Sequence, residues 1–136
     1  MLKRFSVSLD EQLLDKFDAF IQPKGYTNRS EAIRDLIRKV LINEEWEQDS
    51  EVVGVVTLVY NHHQSQLQEK ITEVQHDYHH QITSTTHVHM DHDNCLEVTI
   101  AKGRASVVKE LADKLTTLRG VKDGSLTMSS TGGHLH

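Results

Sequence analysis

Two imidazoles and a thiol stand close together in this 136-residue chain, at His87, His89 and Cys95. Imidazole nitrogen and thiolate sulfur are the donors that borderline divalent metals prefer. If a hairpin turns about His92, His89 lies directly across from Cys95, and opposed Cβ atoms are roughly 5 Å apart. The strand period of two puts His87 on the same face. Three ligands of one metal then converge. By the same period, Ile82, Val88 and Met90 share the other face with Leu96, Val98 and Ile100. That apolar face is expected to meet the helices, which leaves the ligands on the face without helices. His76 is the candidate fourth ligand. It follows Val74 on a helix, turned about 200° from the apolar stripe. It is therefore expected to point away from its own sheet, towards a neighbour. A site completed by a second subunit ties metal occupancy to quaternary structure. Three nitrogens and one thiolate can serve Zn(II) tetrahedrally, or Ni(II) and Cu(II) in square-planar form. The thiolate disfavours Mg(II) and Ca(II). His62, His63, His79, His80 and His92 read as solvated or hydrogen-bonded, and His134 and His136 lie in a flexible tail.

A second chemistry lies at the other end. Phe5, Val7 and Leu9 alternate with Arg4, Ser6 and Ser8, the pattern of a half-buried strand. Asp10 stands at a helix N-cap position with Glu11 behind it. Leu13, Leu14, Phe17, Phe20 and Ile21 follow at helical spacing, and Pro23-Lys24-Gly25 stops that helix. Asn28 with Glu31 has the form of a capping box. Ala32, Ile33, Leu36, Ile37, Val40 and Leu41 then stripe a longer helix. One strand and two helices cannot build a sufficient core, and the strand has no partner. A symmetric dimer cures both defects, with two strands paired and four helices interlocked, in the ribbon-helix-helix arrangement. Its free face, Arg4, Ser6 and Ser8, can enter a major groove and read base edges. The amides near Asn28 and Arg29 can hold a phosphate.

The metal ligands need a second set of elements. Asn43 to Glu51 is acidic and reads as a frayed helix end and linker, with Trp46 packing at the boundary. Val52 to Tyr60 is β-rich. Leu67, Ile71, Val74 and Tyr78 recur at helical spacing. His79 to Met90 reads as a strand that turns tightly into Leu96–Ala101. Gly103 opens a helix carrying Val108, Leu111, Ala112, Leu115 and Leu118, with Arg119-Gly120 as its stop. Gly124 to Ser129 is the last strand. This β-α-β-β-α-β order is the ferredoxin-like plan, with both helices on one face of a four-stranded antiparallel sheet. The class is α+β. The expected divisions are 1–48, 52–131 and a tail at 132–136.

Composition bounds the function. Apolar residues make up 37%, aromatics 5% and charged residues 26%, a globular mixture. No run is long enough to span a membrane, and no secretory signal opens the chain. A single cysteine excludes an internal disulfide and fits a reducing compartment such as the cytoplasm. The net charge of −5 argues against a general polyanion binder. Up to residue 50 there are 8 basic and 10 acidic residues, so DNA binding must rest on a specific oligomeric fit. A metal hydrolase would want an open coordination position and a base. Glu97 shares the Cys95 face, but the DNA-binding half speaks against an enzyme.

Over nearly its full length the chain resembles the nickel-responsive transcriptional regulators. The resemblance is carried by Arg4-x-Ser6-x-Ser8, by Gly25-Tyr26-Thr27-Asn28-Arg29-Ser30-Glu31-Ala32-Ile33-Arg34-Asp35, by the His76 region, by His87-Val88-His89, and by Asp93-Asn94-Cys95-Leu96-Glu97. The family ribbon often has threonines where this chain has Ser6 and Ser8. The resemblance implies a homotetramer, a dimer of dimers, in which ribbon-helix-helix dimers flank a core of ACT-like regulatory domains. It implies Ni(II), one per subunit, held square-planar by His87, His89 and Cys95 of one subunit and His76 of another. It further implies a secondary cation site between the domains, to which Glu31 and Asp35 correspond, and metal-dependent repression of nickel-uptake genes through operator DNA. The expected mechanism is a population shift, in which metal biases the two DNA-binding dimers towards engaging two half-sites at once. A repressor of the same architecture answering to Zn(II) or Cu(II) is the alternative.

Overall fold

The computed structural model describes every residue, Met1 to His136, in two compact units, Met1–Lys39 and Val40–His136.

The first unit is helical. Helix α1 spans Glu11–Ile21, and Asp10 caps it by accepting the Gln12 N–H at 3.1 Å. A short 3-10 turn over Gln22–Lys24 ends at Gly25, whose φ of 81° favours glycine. Helix α2 spans Arg29–Glu47, so its last turns belong to the second unit. Asn28 Oδ1 accepts the Glu31 N–H at 2.9 Å, which is one half of the capping box. The Glu31 carboxylate does not complete it, because it accepts the Thr27 hydroxyl at 2.7 Å instead. Residues 1–10 carry no ladder within the single chain, since an isolated strand has nothing to bond to. Phe5 (70%) and Val7 (62%) are exposed, and so are Leu13, Phe20, Leu36 and Ile37. In this unit only Ile21 and Ala32 are buried.

The second unit has its own core. Strands β1 (Glu51–Asn61), β2 (Ile82–His89), β3 (Asn94–Arg104) and β4 (Val121–Ser129) form one antiparallel sheet in the order β2-β3-β1-β4. Helices α3 (Ser65–Asp77) and α4 (Ala105–Thr116) cover one face, as the β-α-β-β-α-β reading requires. Val56, Leu58 and Tyr60 of β1 meet Leu67 and Ile71 of α3 and Val108, Leu111 and Leu115 of α4. Trp46 is buried and donates its Nε1–H to the Ser129 carbonyl at 2.8 Å. Its packing role holds, but the stretch before it is regular helix to Glu47, not a frayed end. Asp49 then turns the chain at φ 55°, and its carboxylate accepts the Ser106 N–H at 2.7 Å, tying that turn to the start of α4.

The expected faces of the hairpin are reversed. Helices cover the face of Cys95, Glu97, Thr99 and Ala101, all buried, while Leu96, Val98 and Ile100 face the other way, half-buried. Alternation shows which residues share a face, not which face the helices take, and here both faces are apolar. Val53, Val55 and Val59 of β1 join Leu96, Val98 and Ile100 on the open side. Ile82 keeps its expected place against the helices but parts from Val88. The register slips between Ile82 and Ser84, so Ile82 pairs with Ala101 and packs on the core while Val88 pairs with Leu96. His79 and His80 lie in the turn after α3, not in β2, and Gly103 lies in β3, not at the start of α4.

Candidate metal centre and nucleic-acid interface

The sheet register sets the candidate metal ligands in rows. His89 pairs across β2–β3 with Cys95, which pairs across β1–β3 with Tyr60. One row on, His87 pairs with Glu97 and Glu97 with Leu58. His87, His89 and Cys95 therefore share one face, with the His87 and His89 rings stacked at a centroid distance of 5.5 Å. The face is the helix-covered one. β2 is the edge strand, so both imidazoles stay exposed there while Cys95 is buried.

Two of the donors, Cys95 and His87, are tethered. The Cys95 thiol donates to the Tyr60 carbonyl at 3.7 Å. Burial pushes that thiol up, the Tyr60 hydroxyl opposes this, and the Glu97 charge adds to it. His87 Nδ1 sits 3.5 Å from Glu97 Oε1, and its ring meets Tyr60 edge-on at 6.1 Å. Glu97 is buried, and burial raises its carboxyl, against the pull of His87 and Gln75. Gln75 donates from Nε2 to Glu97 Oε2 at 3.0 Å and to Thr99 Oγ1 at 3.2 Å. Sequence reasoning passed over Gln75 and Tyr60. Their signals were a position on α3 beside His76 and a cross-strand place beside Cys95.

His76 is exposed on α3, away from the buried Leu67 and Ile71, and its ring stacks on His79 at 5.7 Å. In the single chain it joins no group of three ligand atoms within 4.8 Å, nor do His87, His89 and Cys95 close to that spacing. The tethers to Glu97 and the Tyr60 carbonyl hold those side chains in hydrogen-bonding rotamers. The donor set still fits a borderline metal, with two imidazoles and a thiolate on adjacent cross-strand positions. The group that does close is His63, His92 and Asp93, at the hairpin tip.

In the first unit, Arg4, Ser6 and Ser8 are exposed. The Arg29 guanidinium is engaged by Asp18 in a two-bonded fork, Nε to Oδ1 at 2.8 Å and Nη2 to Oδ2 at 2.7 Å. That bond holds the Asp18 carboxyl below its ordinary range. Arg29 thus ties the start of α2 to α1. Tyr26 donates to Asp35 at 2.8 Å, and Arg38 reaches Asp35 at 3.4 Å. No helix is long and apolar enough to cross a membrane.

Known proteins match both units. Residues 53–129 match the NikR C terminal nickel binding domain, and residues 3–44 match the ribbon-helix-helix protein, copG family. A protein of Desulfotalea psychrophila, provisionally named a nickel-responsive regulator, is 65% identical over 136 residues, covering 100% of both chains. Proteins of the same provisional name from Solibacter usitatus (56% identical, 98% of this chain and 97% of that one) and Thermococcus onnurineus (51%, 98% of each) are also similar. Among solved structures, an uncharacterized protein of Thermotoga maritima matches with a TM-score of 0.52 at 14% identity, over 57% of this chain and 96% of that one, a likeness of fold alone. With a nickel-binding domain behind a ribbon-helix-helix segment and full-length relatives of that name, the chain belongs to the nickel-responsive regulator family.

Proposed function

We propose that the chain is a nickel-gated repressor whose working form is a homotetramer, and that its role is regulatory rather than enzymatic. The observation that carries the reading is the cross-strand pair His89–Cys95 with His87 beside it on an edge strand. One ion per subunit would be held by His87, His89 and Cys95, with His76 from another subunit closing a square plane. The buried ion-pair partner Glu97, itself held by the amide of Gln75, would orient His87. Nickel bound there supplies a rigid link between subunits.

Two apolar surfaces support the oligomer. The open sheet face of Val53, Val55, Val59, Leu96, Val98 and Ile100 suits a second sheet, and the exposed stripe of α1 and α2 suits a ribbon-helix-helix dimer. We take residues 1–48 as the DNA-binding domain, 52–131 as the ACT-like domain and 132–136 as a tail. Arg4, Ser6 and Ser8 would read base edges, and the amides near Asn28 and Arg29 would hold a phosphate. Arg29 would contribute its backbone, since its side chain is bound to Asp18. Glu31 and Asp35 would be the carboxylates of a secondary cation site. A cytoplasmic location fits a thiolate ligand that must stay reduced.

A nickel titration of the metal-free protein, read by ultraviolet-visible absorption beside Cys95→Ala, tests the site. The expected result is a thiolate-to-nickel charge-transfer band that saturates at one ion per chain and is absent from the variant. A band unaffected by the loss of Cys95 would remove the hairpin from the reading.

A further inference from the structure

We propose that His63, His92 and Asp93 form a second divalent-metal site, separate from the Cys95 centre and of lower affinity. His63 lies in the turn between β1 and α3, and His92 and Asp93 lie at the tip of the β2–β3 hairpin. One ligand atom from each falls within 4.8 Å of the other two. His63 Nε2 is 3.4 Å from Asp93 Oδ1, and His92 Nδ1 is 3.1 Å from the same oxygen. Ligand atoms about 2.0–2.1 Å from one metal lie roughly 3 Å apart, so these spacings match one coordination sphere.

A fourth donor is at hand. His63 Nε2 is 3.2 Å from the His92 carbonyl oxygen, and the neighbouring His62 aims its own Nε2 at that oxygen. Two ring nitrogens and a carboxylate oxygen thus gather together, with a carbonyl oxygen beside the His63 nitrogen. The surroundings hold it in shape. Asp91 Oδ1 accepts the backbone N–H groups of Asp93 and Asn94 at 2.9 and 2.8 Å, which fixes the tip. The Asp93 carbonyl accepts the His62 N–H at 3.0 Å, and Asn61 Oδ1 accepts the His63 N–H at 2.9 Å, which pins the facing turn.

The donor set selects the ion class. Two imidazoles favour Zn(II), Ni(II), Co(II) or Cu(II) over Mg(II) and Ca(II). The site has no thiolate and all three residues are exposed, so it fills after the Cys95 centre. Solvent completes its sphere, as befits a surface site that exchanges its ion.

The test is equilibrium dialysis of the full-length protein against rising Ni(II), counting ions per chain, with the charge-transfer band recorded in parallel. The parent should bind in two steps, and the band should grow only in the first. His63→Ala combined with His92→Ala should lose the second step and keep the band. Cys95→Ala should lose the band and keep the weaker step, so failure of either site is read separately. Circular dichroism checks that each variant is folded. The proposal is overturned if the parent takes up a single equivalent. It is equally overturned if the double variant keeps the second step, or if that step vanishes instead with His134→Ala and His136→Ala in the tail.

Discussion

The two units of this chain solve the problem of a core in opposite ways. Met1–Lys39 buries only Ile21 and Ala32, and leaves Phe5, Val7, Leu13, Phe20, Leu36 and Ile37 in contact with water. Val40–His136 buries a continuous cluster from Trp46 to Leu115, with a sheet covered on one side by two helices. The first unit cannot be stable alone at its size, and the second can. The difference teaches where each function depends on assembly. In the proposed assembly the DNA-binding ribbon needs a second copy to supply the other strand. The candidate metal ligands His87, His89 and Cys95 share one face within one chain, and in the proposed tetramer only His76 would come from another.

The contrast can be broken most severely at Leu36. A Leu36→Asp substitution places a charge in the proposed dimer core, at a cost on the order of 3–5 kcal/mol. Sedimentation should show loss of the dimer through that unit, and operator binding should disappear, while the nickel charge-transfer band persists. Leu111→Ala does the reverse. Leu111 is fully buried in the second unit. Its truncation should lower unfolding stability by about 2–5 kcal/mol, measured by denaturant titration. Gly54→Ala is subtler. A Cβ there would lie 2.5 Å from Val108 Cγ1 and 3.2 Å from the Trp46 ring. The overpacking should cost about 1–3 kcal/mol in the same titration.

The smallest effect is expected at Asp49. Its carboxyl lies below the ordinary value of 3.8, chiefly because it accepts the Ser106 N–H. A depressed folded value means stability that is present above the unfolded pKa and lost as pH falls through the folded one. Thermal stability of the parent should therefore fall as the pH is lowered from the ordinary carboxylate value through the folded one. Asp49→Asn, which tolerates the same φ, should lack this component of the acid sensitivity.

Much of the fold was legible because its signals are local. Asp10 caps α1, Gly25 takes a positive φ, and Asn28 caps α2, each as its residue type dictates. The hairpin register was legible too, since a turn about His92 fixes the partner of His89 as Cys95. Two features were not. Period two cannot say which apolar face a helix will cover, so the Cys95 side was assigned to the open face. A bulge adds a residue without a compositional mark, so period two groups Ile82 with Val88 although the two lie on opposite faces. The histidines at 62, 63 and 92 looked merely solvated because their meeting depends on a turn and a hairpin tip far apart in sequence.

The most direct test of nickel-gated DNA binding is an affinity measurement on one duplex, selected from a random pool with the nickel-loaded protein. Fluorescence anisotropy would compare metal-free and nickel-loaded parent with Cys95→Ala under the same two conditions. Nickel should tighten binding by the parent by about 5–150-fold and leave the variant unchanged. Equal affinity with and without nickel, or an unaltered nickel response in Cys95→Ala, would contradict it.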